Sequence, residues 1–299
     1  MDFLANYFGS LNPMSFLSAL PGNIAQGIIW GLMGLGVFLT FKLLNFADLS
    51  VDGSFATGGA VTAVMLINGC PVWATIIVAI LAGLAAGLVT GLLHTLLGIP
   101  DILAGILTQI ALYSINLNIM GKSNLPISYR NYTLVVSASN INMAILVGLG
   151  ICAVVIAAMY WYFGTEQGST IRSTGSNPAM SKAQGININF TKVIALALSN
   201  GLVALSGSLF AQYQGFADIN MGRGAIVIGL AAVIIGEVLG DDRVGVLRAV
   251  LIDVLDGRIQ RIDDADRQDR RIVLGVPVIL ARGQHIATQQ GTPVPEQRA

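Results

Sequence analysis

VWATIIVAILAGLAAGLVTGLLHTLL, residues 72–97, runs without a single Asp, Glu, Lys or Arg. Crossing the hydrocarbon core of a bilayer takes about 20 mainly apolar residues, and lipid leaves the backbone no partners outside a helix or a closed barrel. The run is continuously apolar rather than alternating, so it reads as a transmembrane helix and not as a barrel strand. Gly83, Gly87 and Gly91 recur every four residues along it, which places them on one helix face where a neighbouring backbone can approach closely.

Outward from this helix, similar runs cover residues 23–44, 102–120, 143–163 and 193–212, and shorter or interrupted ones cover 50–67 and 222–239. The expected fold is an all-α polytopic membrane protein of about seven segments. Gly27 and Gly31, with Gly34 nearby, repeat the small-residue spacing in the first segment. The composition agrees: 54% of residues are hydrophobic, 11% are charged and mean hydropathy is +0.73. Of the 32 charged residues, 18 lie after Gly240. A soluble domain would normally carry about a quarter charged residues.

Several classes are excluded or disfavoured. A formal net charge of zero, with no basic cluster interleaved with aromatics, gives no reason to expect a nucleic-acid partner. Cys70 and Cys152 have no metal or redox spacing, and no metal site is expected. No paired carboxylates with a nucleophile and no metal-spaced histidines are visible, so no catalytic residues are assigned. The N-terminus lacks the basic region of a cleaved signal peptide, so the first apolar run is expected to stay. Domain organisation follows: an N-terminal segment 1–22, a membrane domain 23–240 with a polar loop at 164–191, and a polar tail 241–299.

Lysine and arginine set the orientation. The polar loop holds Arg172 and Lys182 against Glu166, with Lys192 at the next border. A cytoplasmic loop puts the N-terminus outside, Lys42 inside and the tail inside, with Lys122 and Arg130 as the dissent. The expected location is the inner or plasma membrane, among membrane lipid.

Phe46-Ala47-Asp48 recurs as Phe216-Ala217-Asp218, 170 residues later, and each copy opens a short glycine-interrupted segment. In the orientation above the two segments run in opposite directions, the arrangement of an inverted repeat around a translocation site. Ionisable and polar groups inside a membrane are functional hypotheses by default. The candidates for a translocation path are Asn45, Asp48, Asp52, Gln109, Asn116, Asp218 and Arg223, with Asn118 further along the Gln109 helix. Asp48 and Asp52 lie four apart, so a helix would place them on one face.

In the polar loop, Ser176-Asn177-Pro178 signals a helix start and Gly185 a stop. A short amphipathic helix over 179–184, parallel to the membrane, is expected. IRSTGSNPAMSKAQGININ, residues 171–189, resembles the cytoplasmic coupling segment of permease subunits of ABC importers, in the branched-chain amino acid and ribose permease superfamily. The nearest branch is the one associated with tryptophan and tyrosine. The likeness extends to LLNFADLSVDGSF (43–55), to residues 91–124 and to residues 196–239. It implies that Thr174, Gly175, Ser176, Asn177, Pro178, Ala179, Lys182 and Gly185 fit a cleft in an ATP-hydrolysing subunit. Ser176 stands where the motif would be expected to carry Asp; either residue caps a helix. The chain has no phosphate-binding G-x-x-x-x-G-K-[ST] loop, so ATP is expected on the partner and no cofactor on this chain. The resemblance further implies an external substrate-binding protein and a homodimer or paired permease.

The function this implies is import of a small solute, an amino acid and within that class an aromatic one. Two alternatives stand beside it: an ion-coupled secondary transporter using the intramembrane carboxylates, and a non-transporting remnant. The last arises from the tail, whose 59 residues hold nine Asp/Glu, nine Arg and no Lys. It reads either as a genuine cytoplasmic extension or, preferably, as coding read out of frame.

Overall fold

A computed structural model of the chain describes residues 13–127, 134–137 and 141–240. The tail readings and Arg130 lie outside the described residues. Nine α-helices occur among the described residues. They are α1 (Pro13–Val37, extended by a π-helical turn Phe38–Leu43), α2 (Val51–Ile67), α3 (Val72–Leu97), α4 (Asp101–Met120) and α5 (Ile141–Phe163). Then follow α6 (Glu166–Ser176), α7 (Pro178–Ala183), α8 (Ile188–Gln214) and α9 (Ala225–Gly240). Two short strands, β1 (Asn124–Pro126) and β2 (Phe216–Asp218), pair antiparallel, with Leu125 opposite Ala217.

Five helices are long and apolar enough to cross a membrane, and α2 and the Ala225–Glu237 part of α9 are shorter apolar helices. The expected seven apolar segments are therefore present. At about 1.5 Å per residue, α2 rises only about 25 Å, less than the roughly 30 Å hydrocarbon core.

The most enclosed span is α8, packed against α3, α2 and α1. Helix association in lipid relies on close van der Waals packing because lipid tails are as apolar as leucine. The Gly83, Gly87 and Gly91 face makes that contact. A Cβ at Gly91 would sit 2.9 Å from Val193 Cα, and at Gly83 and Gly87 it would meet the carbonyl oxygens of Asn200 and Leu196. The crossing of α2 and α8 is tighter still: Gly58 lies on the Ala204 carbonyl and Gly207 on the Phe55 carbonyl. Trp30, Phe55 and Phe210 close the core beside it, with ring centroids 5.2–5.5 Å apart. Gly27 and Gly31 differ from the sequence expectation. Nothing lies within 4 Å of a Cβ at either, and the close contact of α1 is made instead by Gly36 against Val203 and Ser199.

The Phe-Ala-Asp echo has a geometric counterpart. At the same 170-residue offset, residues 18–48 and 188–218 share nine identities in 31 positions. Asn45 and Gly215, equivalent at that offset, both take positive φ, 53° and 75°. Each lies where its long helix gives way to the link that leads into a short one. Asp48 Oδ1 accepts from Ser50 N at 2.8 Å, and Asp218 Oδ1 accepts from Asn220 N at 2.7 Å, the same local turn twice. Ser199 Oγ donates to Gly36 O at 2.7 Å and Ser206 Oγ donates to Ile29 O at 2.6 Å. The offset maps 29 onto 199 and 36 onto 206, so these two bonds exchange under the repeat. These turns and bonds match at the 170-residue offset between the α1–α2 and α8–α9 segments.

The bundle has two distinct ends. One gathers Leu43, Phe46, His94, Lys192 and the α6–α7 segment: Phe46 meets the His94 ring edge-on at 5.0 Å, and Lys192 Nζ lies 3.0 Å from His94 Nε2. The other holds the β1–β2 pair. Lys42, Arg172 and Lys192 sit at the first end and Lys122 beside β1.

Candidate functional site

Residues 44–50 carry the chain from the end of the π-helical turn back into the bundle, so α2 starts inside it. Residues 219–224 do the same from the opposite end for α9. The two interrupted helices meet N-terminus to N-terminus, with Gly222 seated on the Asp52 carbonyl. Asp52 lies in the first turn of α2, and its carboxylate also caps α9: Oδ2 accepts from Gly224 N at 3.0 Å and Oδ1 from Ile226 N at 2.9 Å. One negative group therefore serves two helix starts, where unpaired N–H groups and the positive dipole end favour an anion.

Beside this junction is a cavity of about 320 Å³. Asp52, Gly53 and Ala56 form its α2 wall, and Ile219 and Arg223 come from the second link. Gln109, Tyr113 and Asn116 line it from α4 at positions that share a helix face, with Ile110 beside them. Asn116 is fully buried, and neither atom of its amide has a hydrogen-bond partner among the described residues. A buried amide left unpaired costs about 1–3 kcal/mol, so such a group in a cavity wall is chemically unfinished.

Four of the seven path candidates, Asp52, Gln109, Asn116 and Arg223, are thus brought together. The other three are elsewhere. Asp48 is 2% exposed and turns away to α8, accepting from Asn200 Nδ2 at 2.7 Å and from both the amide and hydroxyl of Ser50. It does not share a helix face with Asp52, because residues 44–50 are not α-helical and only Asp52 lies within α2. Asp218 pairs with Asn124 Nδ2 at 3.3 Å in the strand pair. Asn45 is exposed and makes the left-handed turn. Asn118 points away from the bundle, exposed. Tyr113 and Ile219 escaped the sequence reading; Tyr113 was findable as the residue four after Gln109 on a polar face.

The polar loop folds as two helices rather than one. Helix α6 precedes the expected short helix, which is α7. Gly168 rests on the backbone of Phe163 and Gly175 on the Leu43 carbonyl, so α6 is clamped to the ends of α5 and of the π-helical turn. Asn177 is the cap of α7, its Oδ1 accepting from Met180 N at 3.1 Å, with Pro178 at the first helical position. Ser176 is not a cap. Its hydroxyl donates back to Arg172 O at 3.0 Å, inside α6. Thr174 is buried, whereas Pro178, Ala179, Met180 and Lys182 are exposed, Met180 to 51%. Gly185 ends the segment at φ 84°.

The bundle and its loop have counterparts among known proteins. A family described as the permease component of the branched-chain amino acid transport system matches residues 22–256. A tyrosine transport system permease protein of Clostridioides difficile is 45% identical over 224 residues, covering 75% of this chain and 74% of that protein. An uncharacterized Rickettsia prowazekii protein is 32% identical over 214 residues, covering 72% and 75%. The D-allose transport system permease protein of Escherichia coli is 28% identical over 234 residues, covering 77% and 71%. No solved structure matches the chain. A bundle of membrane-crossing helices and a match over most of the chain agree, and this multi-pass protein of the cell's inner or plasma membrane belongs to the branched-chain amino acid transport permease family.

Proposed function

We propose that the chain is the membrane-spanning permease subunit of an ATP-driven importer, with an amino acid, and among amino acids an aromatic one, as its solute. The single observation that carries this reading is the α6–α7 segment. It is clamped through Gly175 to the end of the first long helix and turns Pro178, Ala179 and Met180 outward. A cleft in an ABC ATPase closing on α7 would push on a segment that shares backbone contact with the transmembrane body. ATP belongs to that partner. An external binding protein delivers the solute at the β1–β2 end, and a second permease, identical or paired, completes the assembly in lipid. The tyrosine relative supports an amino acid solute, whereas the D-allose relative shows that the family's solutes vary.

One observation favours the second reading. Asp48 is a carboxylate buried inside the bundle with no ion-pair partner among the described residues, as a proton-coupled carrier would need. Proteoliposomes holding the chain with its ATPase and binding protein separate the two. Uptake of labelled L-tyrosine is expected to require internal ATP and to survive an ionophore that collapses the proton gradient. Uptake that ignores ATP and stops with the ionophore would overturn the importer reading.

A further inference from the structure

Resting on the importer reading, we infer that the cavity between α2, α4 and the second link is a station for a zwitterion, holding a cationic end at Asp52 and an anionic end at Arg223.

Three features point to that ligand class. First, the cavity wall carries one negative and one positive group that are not paired with each other. The one ion pair among the described residues joins Lys42 and Glu237 at the loop end of the bundle. Two opposite charges that share one small space without forming a salt bridge to each other fit a solute that carries both signs. Second, Asn116 offers a buried donor and a buried acceptor without partners. That pair suits the polar end of a bound solute. Third, Ala56, Ile110, Ile219 and Tyr113 supply an apolar and aromatic wall for the rest of it. A cavity of this size lies at the low end of the range for small-molecule sites, roughly 300–1,000 Å³.

Asp52 gives the station a consequence. The carboxylate that would hold a cationic end is the one that caps α9. Each oxygen accepts one amide and keeps an acceptor site free, so a bound ammonium group can join the Gly224 and Ile226 amides on the same carboxylate. Occupancy therefore places the solute directly against the junction of the two interrupted helices. Arg223 has no such structural duty. Its side chain is exposed, so its replacement leaves the fold intact.

The test uses the purified full chain in lipid nanodiscs, with thermal stabilisation read against L-tyrosine, L-tyrosine methyl ester, N-acetyl-L-tyrosine, D-allose and uridine. L-Tyrosine is expected to stabilise the chain, and the two analogues lacking one charge are expected to need about tenfold or more higher concentration. Arg223→Gln is expected to weaken L-tyrosine by a similar factor and to leave the methyl ester, which has no carboxylate, unchanged. Asn116→Ala is expected to weaken all three. Equal response to the zwitterion and its capped analogues, an unchanged response in Arg223→Gln, or stabilisation by D-allose or uridine alone would overturn the inference. Association of Arg223→Gln with the ATPase, measured alongside, keeps the outcomes apart. A chain that binds its ATPase yet ignores zwitterions sinks the station and leaves the importer standing.

Discussion

Gly175→Val is expected to abolish ATP-driven uptake while leaving a folded membrane body. The hydrogen of Gly175 faces the Leu43 carbonyl so closely that even one added methyl group would occupy the oxygen's position. A valine forces α6 off the π-helical turn, and α7 moves with it because only Asn177 separates the two helices. The α8 contacts with α1, α2 and α3 lie elsewhere and are untouched. Thermal stability in detergent should fall by no more than the roughly 1–3 kcal/mol typical of overpacking. Uptake, by contrast, should drop by about a hundredfold, since misplacing a coupled element by about 1 Å is enough for losses of that order. Uptake near the parental level in Gly175→Val would mean that α6 is an ordinary connector.

Gly207→Leu is expected to yield no stably folded protein. Here the clash is between two transmembrane backbones: Gly207 of α8 lies on the Phe55 carbonyl, and Gly58 of α2 lies on Ala204 one turn away. Neither helix can retreat without breaking the contacts α8 makes with α3 on its far side. The cost exceeds the ~1–3 kcal/mol of an overpacked side chain, because both helices are held in the packed bundle and neither can shift as the peripheral α6 can. Monodisperse protein on gel filtration should be lost in Gly207→Leu and reduced in Gly207→Ala. Gly150→Leu, at a position with nothing within 4 Å of an added Cβ, should behave like the parent. Equal recovery of Gly207→Leu and Gly150→Leu would show that the crossing is looser than the contact implies.

The transmembrane segments were readable because lipid admits so few backbone solutions that an apolar run is nearly a helix by itself. The glycine face of α3 was readable for a related reason: three small residues in register have one efficient use. Gly27 and Gly31 show its limit, since spacing marks a face without saying what stands opposite. Helix α6 was not legible. Its sequence, EQGSTIRSTGS, has two glycines and five Ser/Thr residues, and helical propensity alone would not hold it. What holds it is contact with Phe163 and Leu43, far off in sequence or known only after folding.

The repeat was visible as three residues when its geometry spans two helix pairs. The exchanged bonds from Ser199 and Ser206 end on backbone carbonyls of Gly36 and Ile29, and any residue type can supply a carbonyl. Symmetry maintained through the backbone leaves little trace in side-chain identity. The same reasoning explains the Asp48–Asp52 error. Spacing of four implies one face only if the segment is helical, and Asn45 had already turned the chain out of the helix. Within the cavity, intramembrane polarity singled out Asp52, Gln109, Asn116 and Arg223. It had no means of finding Ile219 or Ala56, whose apolar character is ordinary in this chain.

Gripping of α7 by an ATPase is tested by disulfide or maleimide cross-linking from single cysteines, in a background with Cys70 and Cys152 replaced by serine. Met180→Cys, exposed on α7, is expected to cross-link to the ATPase subunit, with the yield changing between ATP-bound and ATP-free states. Trp73→Cys, 67% exposed at the start of α3 and at the opposite end of the bundle, is expected to give no such product. Cross-linking from residue 73 and none from residue 180 would contradict the account.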